Sequence, residues 1–541
     1  MTPRNIFVLG AGVVIAGISA AAYVWPPAAW AFVLVGPPIL LGLYDMLQTR
    51  HALRRNYPLV GHGRYLLESI RPEINQYFVE SDVSGTPFNR EKRSLIYQRA
   101  KGVRDTVPFG TQRNVYDVGY EWINHSIAAK EHPEELPRIM VGGKDCKQPY
   151  DLSLLNVSAM SFGSLSRHAI IALNRAAKQG HFAHNTGEGG LSPHHEQGGD
   201  LIWQIGTGYF GARNDEGGFS EERFAQKATT DAVKMVEIKV SQGAKPGHGG
   251  ILPAAKVTPE IAKIRHVPLG KDVLSPPTHS SFGTPLEMMK FITTLRDLSG
   301  GKPVGFKLCI GKHREFFAIV KAMLETGVRP DFITVDGGEG GTGAAPLEFS
   351  NVVGTPLVEG LVFVHNALTG AGLREEIRVL ASGKVASGFD IAHKLAVGAD
   401  ATMAARSMMF ALGCIQARRC NTNHCPVGIA TQLPSLVSGL VIPDKAERVR
   451  QYHDATLRAL NELVAAAGLD GPGDLRPWHI QRRVSSTDVR HYDQIYQYIE
   501  PGSLLGADIP EAYARAWHAA RPDSFEVLDS RQRASYVQLD T

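Results

Sequence analysis

Residues 154–190 read LLNVSAMSFGSLSRHAIIALNRAAKQGHFAHNTGEGG. An apolar run, Leu154–Met160, gives way to the Ser- and Gly-rich turn SFGS, then to an amphipathic stretch over Arg167–Gln179. A second apolar run, Phe182–Asn185, is closed by NTGEGG. Read as strand, loop, helix, strand and loop, this is a βα unit of the kind that parallel pairing requires. The texture continues outward. Candidate strands follow at Leu201–Ile205, Met235–Val240, Val304–Ile310, Phe332–Val335, Val379–Ala381 and Ala401–Ala404, with helical patterns at Pro285–Leu298, Arg314–Glu325 and Ala392–Val397. Eight strands predict an α/β fold, a (β/α)8 barrel whose site lies where strands end and loops begin. A doubly wound sheet alternates in the same way. The polar, Gly-rich runs that follow most of the strands favour the barrel: SQGAKPGHGG after the fourth, DGGEGGTG after the sixth and SGKVASG after the seventh.

The composition agrees with a large folded core. Of 541 residues, 43% are apolar and 20% charged, which argues against wholesale disorder. Lys plus Arg number 57 against 53 Asp plus Glu, a formal charge of +4, too balanced for a nucleic-acid binder recruited by bulk charge. Five cysteines are too few for a disulfide scaffold and fit a reduced compartment. The 56 glycines are clustered, as where backbone approaches a ligand.

The amino terminus departs from this texture. Ile6–Val24 carries no charge, Trp25-Pro26-Pro27 interrupts it, and Ala28–Leu47 is apolar except for Asp45. Each run approaches the ~20 residues that cross a bilayer, which predicts a transmembrane helical hairpin over residues 1–55. Arg4 on one side and Arg50, Arg54 and Arg55 on the other place both ends, and the catalytic part, on the cytoplasmic side of an inner membrane. Two other readings stay open: a cleaved signal peptide around Ala20-Ala21-Ala22, and one span plus a re-entrant segment, since Pro37-Pro38 removes backbone donors. Residues 56–149 form a flanking region with short helices at RPEINQYF and SLIYQRAKG, residues 150–440 the barrel, and residues 441–541 a helical tail led by Lys445–Ala467.

Four motifs carry chemistry. Cys414-x5-Cys420-x4-Cys425-Pro426 offers three thiolates to an iron–sulfur cluster. A zinc site completed by His424, or plain core thiols, are the alternatives. Gly338–Gly343 matches G-x-G-x-x-G, but Ala344-Ala345-Pro346 replaces the long helix of a dinucleotide fingerprint, so a glycine loop pressed against a flat ring or a phosphate fits better. Ser382-Gly383-Lys384 with Ser387-Gly388 forms a candidate phosphate cradle before a helix, or tight turns alone. Lys239, Gln242, Lys245 and Arg265 form a basic group that clamps a dicarboxylate if it converges, and is otherwise a solvated face.

SAMSFGSLS (158–166), NTGEGG (185–190), IKVSQGAKPGHGG (238–250), LSPPTH (274–279), DGGEGGTGAAP (336–346) and CIQARRCNTNHCPVGIATQ (414–432) closely resemble, in matching order, the synthase domain of glutamate synthases. The resemblance spans about residues 150–435. It implies a (β/α)8 barrel that binds FMN and a 3Fe-4S cluster and reduces 2-iminoglutarate, formed from 2-oxoglutarate and ammonia, to L-glutamate. By motif, Cys414, Cys420 and Cys425 match the cluster ligands. Gln242, Lys245 and Arg265 match residues that hold 2-oxoglutarate, with Glu188 and Arg213 as further members of that site. Lys307 matches the lysine beside the flavin pyrimidine ring, Met160 and Ser161 lie against the ring, and Gly340, Gly341 and Gly383 match positions near the ribityl phosphate.

The departures shape the expectation. No segment resembles a glutaminase domain, the carboxy-terminal β-helix or an NAD(P)H-binding domain, and His248 stands where the family has an acidic residue. The resemblance therefore implies a membrane-anchored, stand-alone form taking ammonia or an amine, with electrons from a separate ferredoxin-like one-electron carrier. An N-methylglutamate synthase-like substrate and an electron-transfer subunit of a membrane complex are the rival functions.

Overall fold

A computed structural model of the chain describes residues 1–103 and 105–526; residues 527–541 of the expected carboxy-terminal tail lie outside the described residues. Packing divides the chain into two units, Met1–Gly85 and Thr86 onward. The hydropathy pattern alone ends the hairpin near residue 55, earlier than the packing boundary.

In the first unit, a helix over Pro3–Val24 and a helical segment over Pro26–Leu47 are each 22 residues, long and apolar enough to cross a membrane. The Trp25-Pro26-Pro27 break forms a tight 3-10 turn over Pro26–Trp30. Pro37 and Pro38 sit inside the second helix without ending it. A Cβ at Gly42 would lie 2.1 Å from the Phe7 ring, so the two helices close to this distance because position 42 has no side chain. Asp45, fully buried, accepts from Leu59 N at 3.1 Å and pairs with His62 Nε2 at 2.9 Å, which ties the end of the hairpin to a helix over Val60–Ile74.

The second unit is built on a closed parallel barrel: β1 (Leu155–Val157), β2 (His184–Asn185), β3 (Leu201–Ile205), β4 (Val233–Lys239), β5 (Val304–Leu308), β6 (Phe332–Asp336), β7 (Arg378–Ser382) and β8 (Ala401–Ala404). Each strand pairs with the next in sequence, and β8 closes on β1 through Thr402 opposite Leu155. The strands are almost wholly buried on both faces because helices cover the outside and side chains fill the inside. Helices follow at Arg167–Gly180, Glu221–Ala228, Pro285–Leu298, His313–Thr326, Leu357–Gly370, Gly388–Ala396 and Arg406–Leu412. After β2 the connection is a short 3-10 turn, Pro193–His195.

The flanks join this core. An antiparallel pair, Arg138–Val141 with Tyr150–Ser153, lies at the amino-terminal end of the barrel, where Gly143 N donates to Asp331 Oδ1 at 2.7 Å. Glu121–Ile123 pairs with Ile480–Arg483, so the amino-terminal flank and the tail share one small sheet. A helix over Ile442–Ala466 packs across Arg167–Gly180 and Arg90–Ala100. The opposite, carboxy-terminal end of the barrel receives the long loops.

Candidate active site

A cavity of about 470 Å³ opens at the carboxy-terminal ends of the strands, within the usual size of small-molecule sites. Its walls come from loops far apart in sequence. The turn after β1 (Met160, Ser161, Ser164) and the turn after β2 (Gly187, Glu188) form one side. Gly187 has φ +64°, and a Cβ there would meet Ser161 N at 2.7 Å, so glycine permits both the backbone conformation and the contact between these loops.

The long excursion after β4 carries the basic group. Lys239, Gln242, Lys245 and Arg265 all line the cavity, with both lysines and the arginine buried. Lys239 Nζ lies 2.8 Å from Glu188 Oε2. Burial disfavours the Glu188 charge, but Lys239 and then Lys245 and Arg265 outweigh it and hold the carboxyl below its ordinary range. Burial lowers Lys245 to about 8 even though Glu188 favours its charge, and lowers Arg265 to about 10. Lys245 Nζ donates to Ala344 O at 3.0 Å. Arg265 Nη2 donates to Phe162 O at 2.9 Å and Ser161 Oγ at 3.2 Å, while its buried Nε–H has no partner among the described residues. The Lys245–Arg265–Gln242 set is thus gathered around one space, with donor capacity left for an anion.

Arg213 stands apart from the other expected substrate residues. It does not line the cavity; its Nη1 donates to Gly208 O at 3.3 Å and its guanidinium leans on the Phe210 ring. The same ring carries Arg265 at 5.1 Å.

Below these groups lies a polar layer inside the barrel. Lys307, on β5, sits 3.1 Å from Asp336 Oδ2 at the end of β6. Burial acts against the Lys307 charge, but Asp336, Glu237 and Glu188 more than offset it and raise the group above its ordinary value. Glu237 is buried yet satisfied, accepting from Asn185 Nδ2, Gln204 Nε2 and Thr334 Oγ1 at 2.6–2.8 Å. Asp336 also accepts from Gly243 N at 2.9 Å. A Cβ at Gly243 would lie 1.7 Å from Gly337 O, so the loops after β4 and β6 meet backbone to backbone. Neither Asp336 nor Glu237 belongs to the basic motif, and the sequence reading missed both; charged residues within otherwise apolar strands were the available signal.

Gly340, Gly341 and Gly383 line the cavity together with Lys384 of the candidate phosphate cradle and with Arg406, which lies in none of the motifs. The Ser387-Gly388 half of the proposed phosphate cradle is overturned. Asp390 fills that helix end, its Oδ2 accepting from Ala386 N and Ser387 N while Lys92 pairs with its Oδ1 at 2.8 Å. Gly388 instead permits contact with the Ile442–Ala466 helix, where a Cβ would meet Leu460 N at 2.7 Å.

Cys414, Cys420 and Cys425 line the same cavity. Burial pushes Cys414 up to about 12 and raises Cys420, and the three thiols lie within electrostatic reach of one another. Among the described residues no three His, Cys, Asp or Glu side chains are gathered to hold a metal ion. A tetrahedral zinc site needs all its ligands within ~2.3 Å of one point, whereas a multi-iron cluster spreads its thiolates over several iron atoms. His424 is exposed and does not line the cavity. The loop is latched from a distance: Tyr97 Oη donates to Cys414 O at 2.6 Å, and the Gln416 amide exchanges hydrogen bonds with the Phe88 backbone at 3.2 and 3.3 Å.

A parallel barrel with a buried, charge-lined cavity at its loop end is the architecture of a small-molecule enzyme. Residues 124–470 match the family model described as the conserved region in glutamate synthase. The chain is 37% identical over 513 residues to the glutamate synthase large subunit-like protein YerD of Bacillus subtilis (strain 168), covering 86% of this chain and 97% of YerD. It is 35% identical over 325 residues to the archaeal glutamate synthase (NADPH) of Methanocaldococcus jannaschii, covering 59% of this chain and 60% of that protein. Among solved structures, mandelate oxidase with (S)-2-phenylpropionate aligns with a TM-score of 0.41 at 14% identity, over 79% of this chain and 98% of that chain. The chain belongs to the glutamate synthase family and is an oxidoreductase.

Proposed function

We propose that the chain is an FMN and iron–sulfur oxidoreductase that reduces 2-iminoglutarate, from 2-oxoglutarate and ammonia, to L-glutamate. The observation that carries this reading is the convergence of Gln242, Lys245 and Arg265 on a cavity shared with the glycine loops and three cysteines. The donor chemistry fits both groups. Gly340, Gly341 and Gly383 leave room for a flat ring and its chain, and Lys384 and Arg406 supply cations for a phosphate. Three cysteines on one loop supply soft ligands for a 3Fe-4S cluster. When bound, flavin supplies hydride transfer together with one-electron exchange.

The chain's own residues do the rest by positioning. Lys245 and Arg265 take the two carboxylates, Arg265 through its free Nε–H and Lys245 as a point charge. Gln242 offers an amide between them. Glu188 stays ionised against Lys239, so the clamp is not overcharged before substrate arrives. Lys307, fixed by Asp336, stabilises negative charge that accumulates beside it.

The domain reading follows: a membrane hairpin at the amino terminus, the barrel as the catalytic part on the cytoplasmic side of an inner membrane, and a separate one-electron carrier as the donor. Anaerobic turnover with 2-oxoglutarate, ammonia and a chemically reduced one-electron donor, assayed for glutamate, tests the reading. Glutamate formation is the expected result. Product with methylamine but not with ammonia would transfer the function to an N-methylglutamate synthase type, and no product with either would leave the electron-transfer role.

A further inference from the structure

Lys256 belongs to none of the motifs above. It ends a short turn, Ala254–Lys256, on the same excursion that carries Lys245 and Arg265, and it is 2% exposed. Its Nζ donates to Ser164 O at 3.0 Å, and among the described residues no carboxylate pairs with it. Leaving an ammonium in the protein interior without a counter-charge costs several kcal/mol, so a buried lysine without an acid calls for another anion. The sulfurs of Cys420 and Cys425, which a bound cluster would hold as thiolates, lie within its electrostatic reach. It lines the same cavity as both.

The placement is held by hydrogen bonds from two loops. Asn423, between Cys420 and Cys425, donates from Nδ2 to Ala255 O at 2.9 Å, which binds the cysteine loop to the backbone next to Lys256. The Asn423 oxygens accept from Thr431 Oγ1 at 2.5 Å and Gln432 N at 2.7 Å. On its other side Lys256 meets the serine loop, where Ser164 Oγ bonds to Ser161 O at 2.8 Å and Arg265 reaches Ser161 Oγ. The Ala255-Lys256 segment therefore bridges the loop expected against the flavin, through Lys256, and the loop expected around the cluster, through Ala255.

We infer that Lys256 is the internal counter-ion of the iron–sulfur centre held by Cys414, Cys420 and Cys425, and that its charge raises the reduction potential of that centre. This rests on the cluster reading of the preceding section. A positioned cation favours the form with the extra electron, so its removal makes reduction harder.

The test is an EPR-monitored redox titration of the purified, membrane-extracted protein and of Lys256→Gln and Lys256→Arg, following the signal of the oxidised three-iron centre. Lys256→Gln should lower the midpoint by about 59 mV, a tenfold change in a one-electron equilibrium, while Lys256→Arg stays near the parent. Loss of the cluster from Lys256→Gln alone, with Lys256→Arg loaded, also supports a charge role. Equal midpoints in all three proteins, a rise in Lys256→Gln, equal shifts in both variants or equal loss of the cluster from both would overturn it. Parent protein without iron and acid-labile sulfide would overturn the cluster reading itself, before either variant is compared.

Discussion

Glu188 Oε2 and Lys239 Nζ lie 2.8 Å apart, so the carboxylate in the cavity wall pairs directly with the lysine at the end of β4, while Lys245 and Arg265 act on it from farther away. Lys239 is 8% exposed, and Glu188 stands opposite three cations in a cavity built for anions. The pair leaves Lys245 and Arg265 without a carboxylate in direct contact among the described residues.

Breaking this pair from the acidic side should therefore be costly. Glu188→Gln leaves Lys239 buried and unpaired, and the thermal unfolding midpoint should fall by the equivalent of roughly 3 kcal/mol. Lys239→Met added to Glu188→Gln removes the stranded ammonium and should recover part of the loss. If calorimetry finds the double variant no more stable than the single one, the two groups are not coupled in this way.

Much of the barrel is legible because its signals are local. Pro285–Leu298 is found to the residue: Thr284 caps it, Glu287 closes the capping box and Pro285 opens the helix. Most of the strands lie in apolar runs, but β2 is only His184–Asn185, and β4 and β5 carry Glu237 and Lys307. The first is shorter than its run because the chain turns after Val157 into the serine loop. The site is legible where chemistry and sequence coincide, as in Gln242 and Lys245. It is illegible where the partner is remote, or where a neighbouring side chain occupies the group that the motif offers. Nothing near Gln416 announces Phe88, 328 residues earlier, and Ser387-Gly388 reads as an anion site until Asp390 is found in it. Arg213 carries the right charge, but Phe210 stands under it and Gly208 takes its hydrogen bond.

The amino-terminal helices predict a membrane protein. The full chain should sediment with membranes and resist salt extraction, and a chain lacking residues 1–85, the whole first unit, should be soluble and retain FMN. Protease added to spheroplasts should leave the barrel intact. Cleavage of the barrel from the periplasmic side would reverse the orientation.

The cysteine loop predicts a metal content. Purified protein should contain iron and acid-labile sulfide, with an EPR signal in the oxidised state. Cys420→Ser should abolish that signal while FMN absorbance persists, since Cys420 lies on the loop rather than on a glycine wall. Stoichiometric zinc without sulfide would sink the assignment.

Arg265 predicts a requirement for shape as well as charge. Its Nη2 is already committed to Phe162 and Ser161, leaving Nε–H for a ligand. Lysine cannot do both, so Arg265→Lys should lose one charge-assisted hydrogen bond, about 1.5–3 kcal/mol, or roughly tenfold to two-hundredfold in 2-oxoglutarate affinity. Calorimetric titration giving parent-like affinity would remove Arg265 from the clamp.

Lys245 predicts a pH limit. Burial brings it to about 8 in the ligand-free protein, against an ordinary value of 10.5, with Glu188 keeping it from falling further. Its charge is present below pH 8 and lost above, so 2-oxoglutarate affinity should be level through neutral pH. Above about pH 8 it should weaken, approaching tenfold per pH unit for a single required proton. Arg265, at about 10, is still charged near pH 8 and cannot account for a decline that begins there. Lys245→Arg replaces the titrating group by one that does not titrate there and should flatten the profile even if its affinity is lower at neutral pH. Titrations of both proteins between pH 6.5 and 9.5 decide the matter. A decline above pH 8 that persists in Lys245→Arg would assign the proton to another group, and a level profile in the parent would place the carboxylate beyond the reach of Lys245.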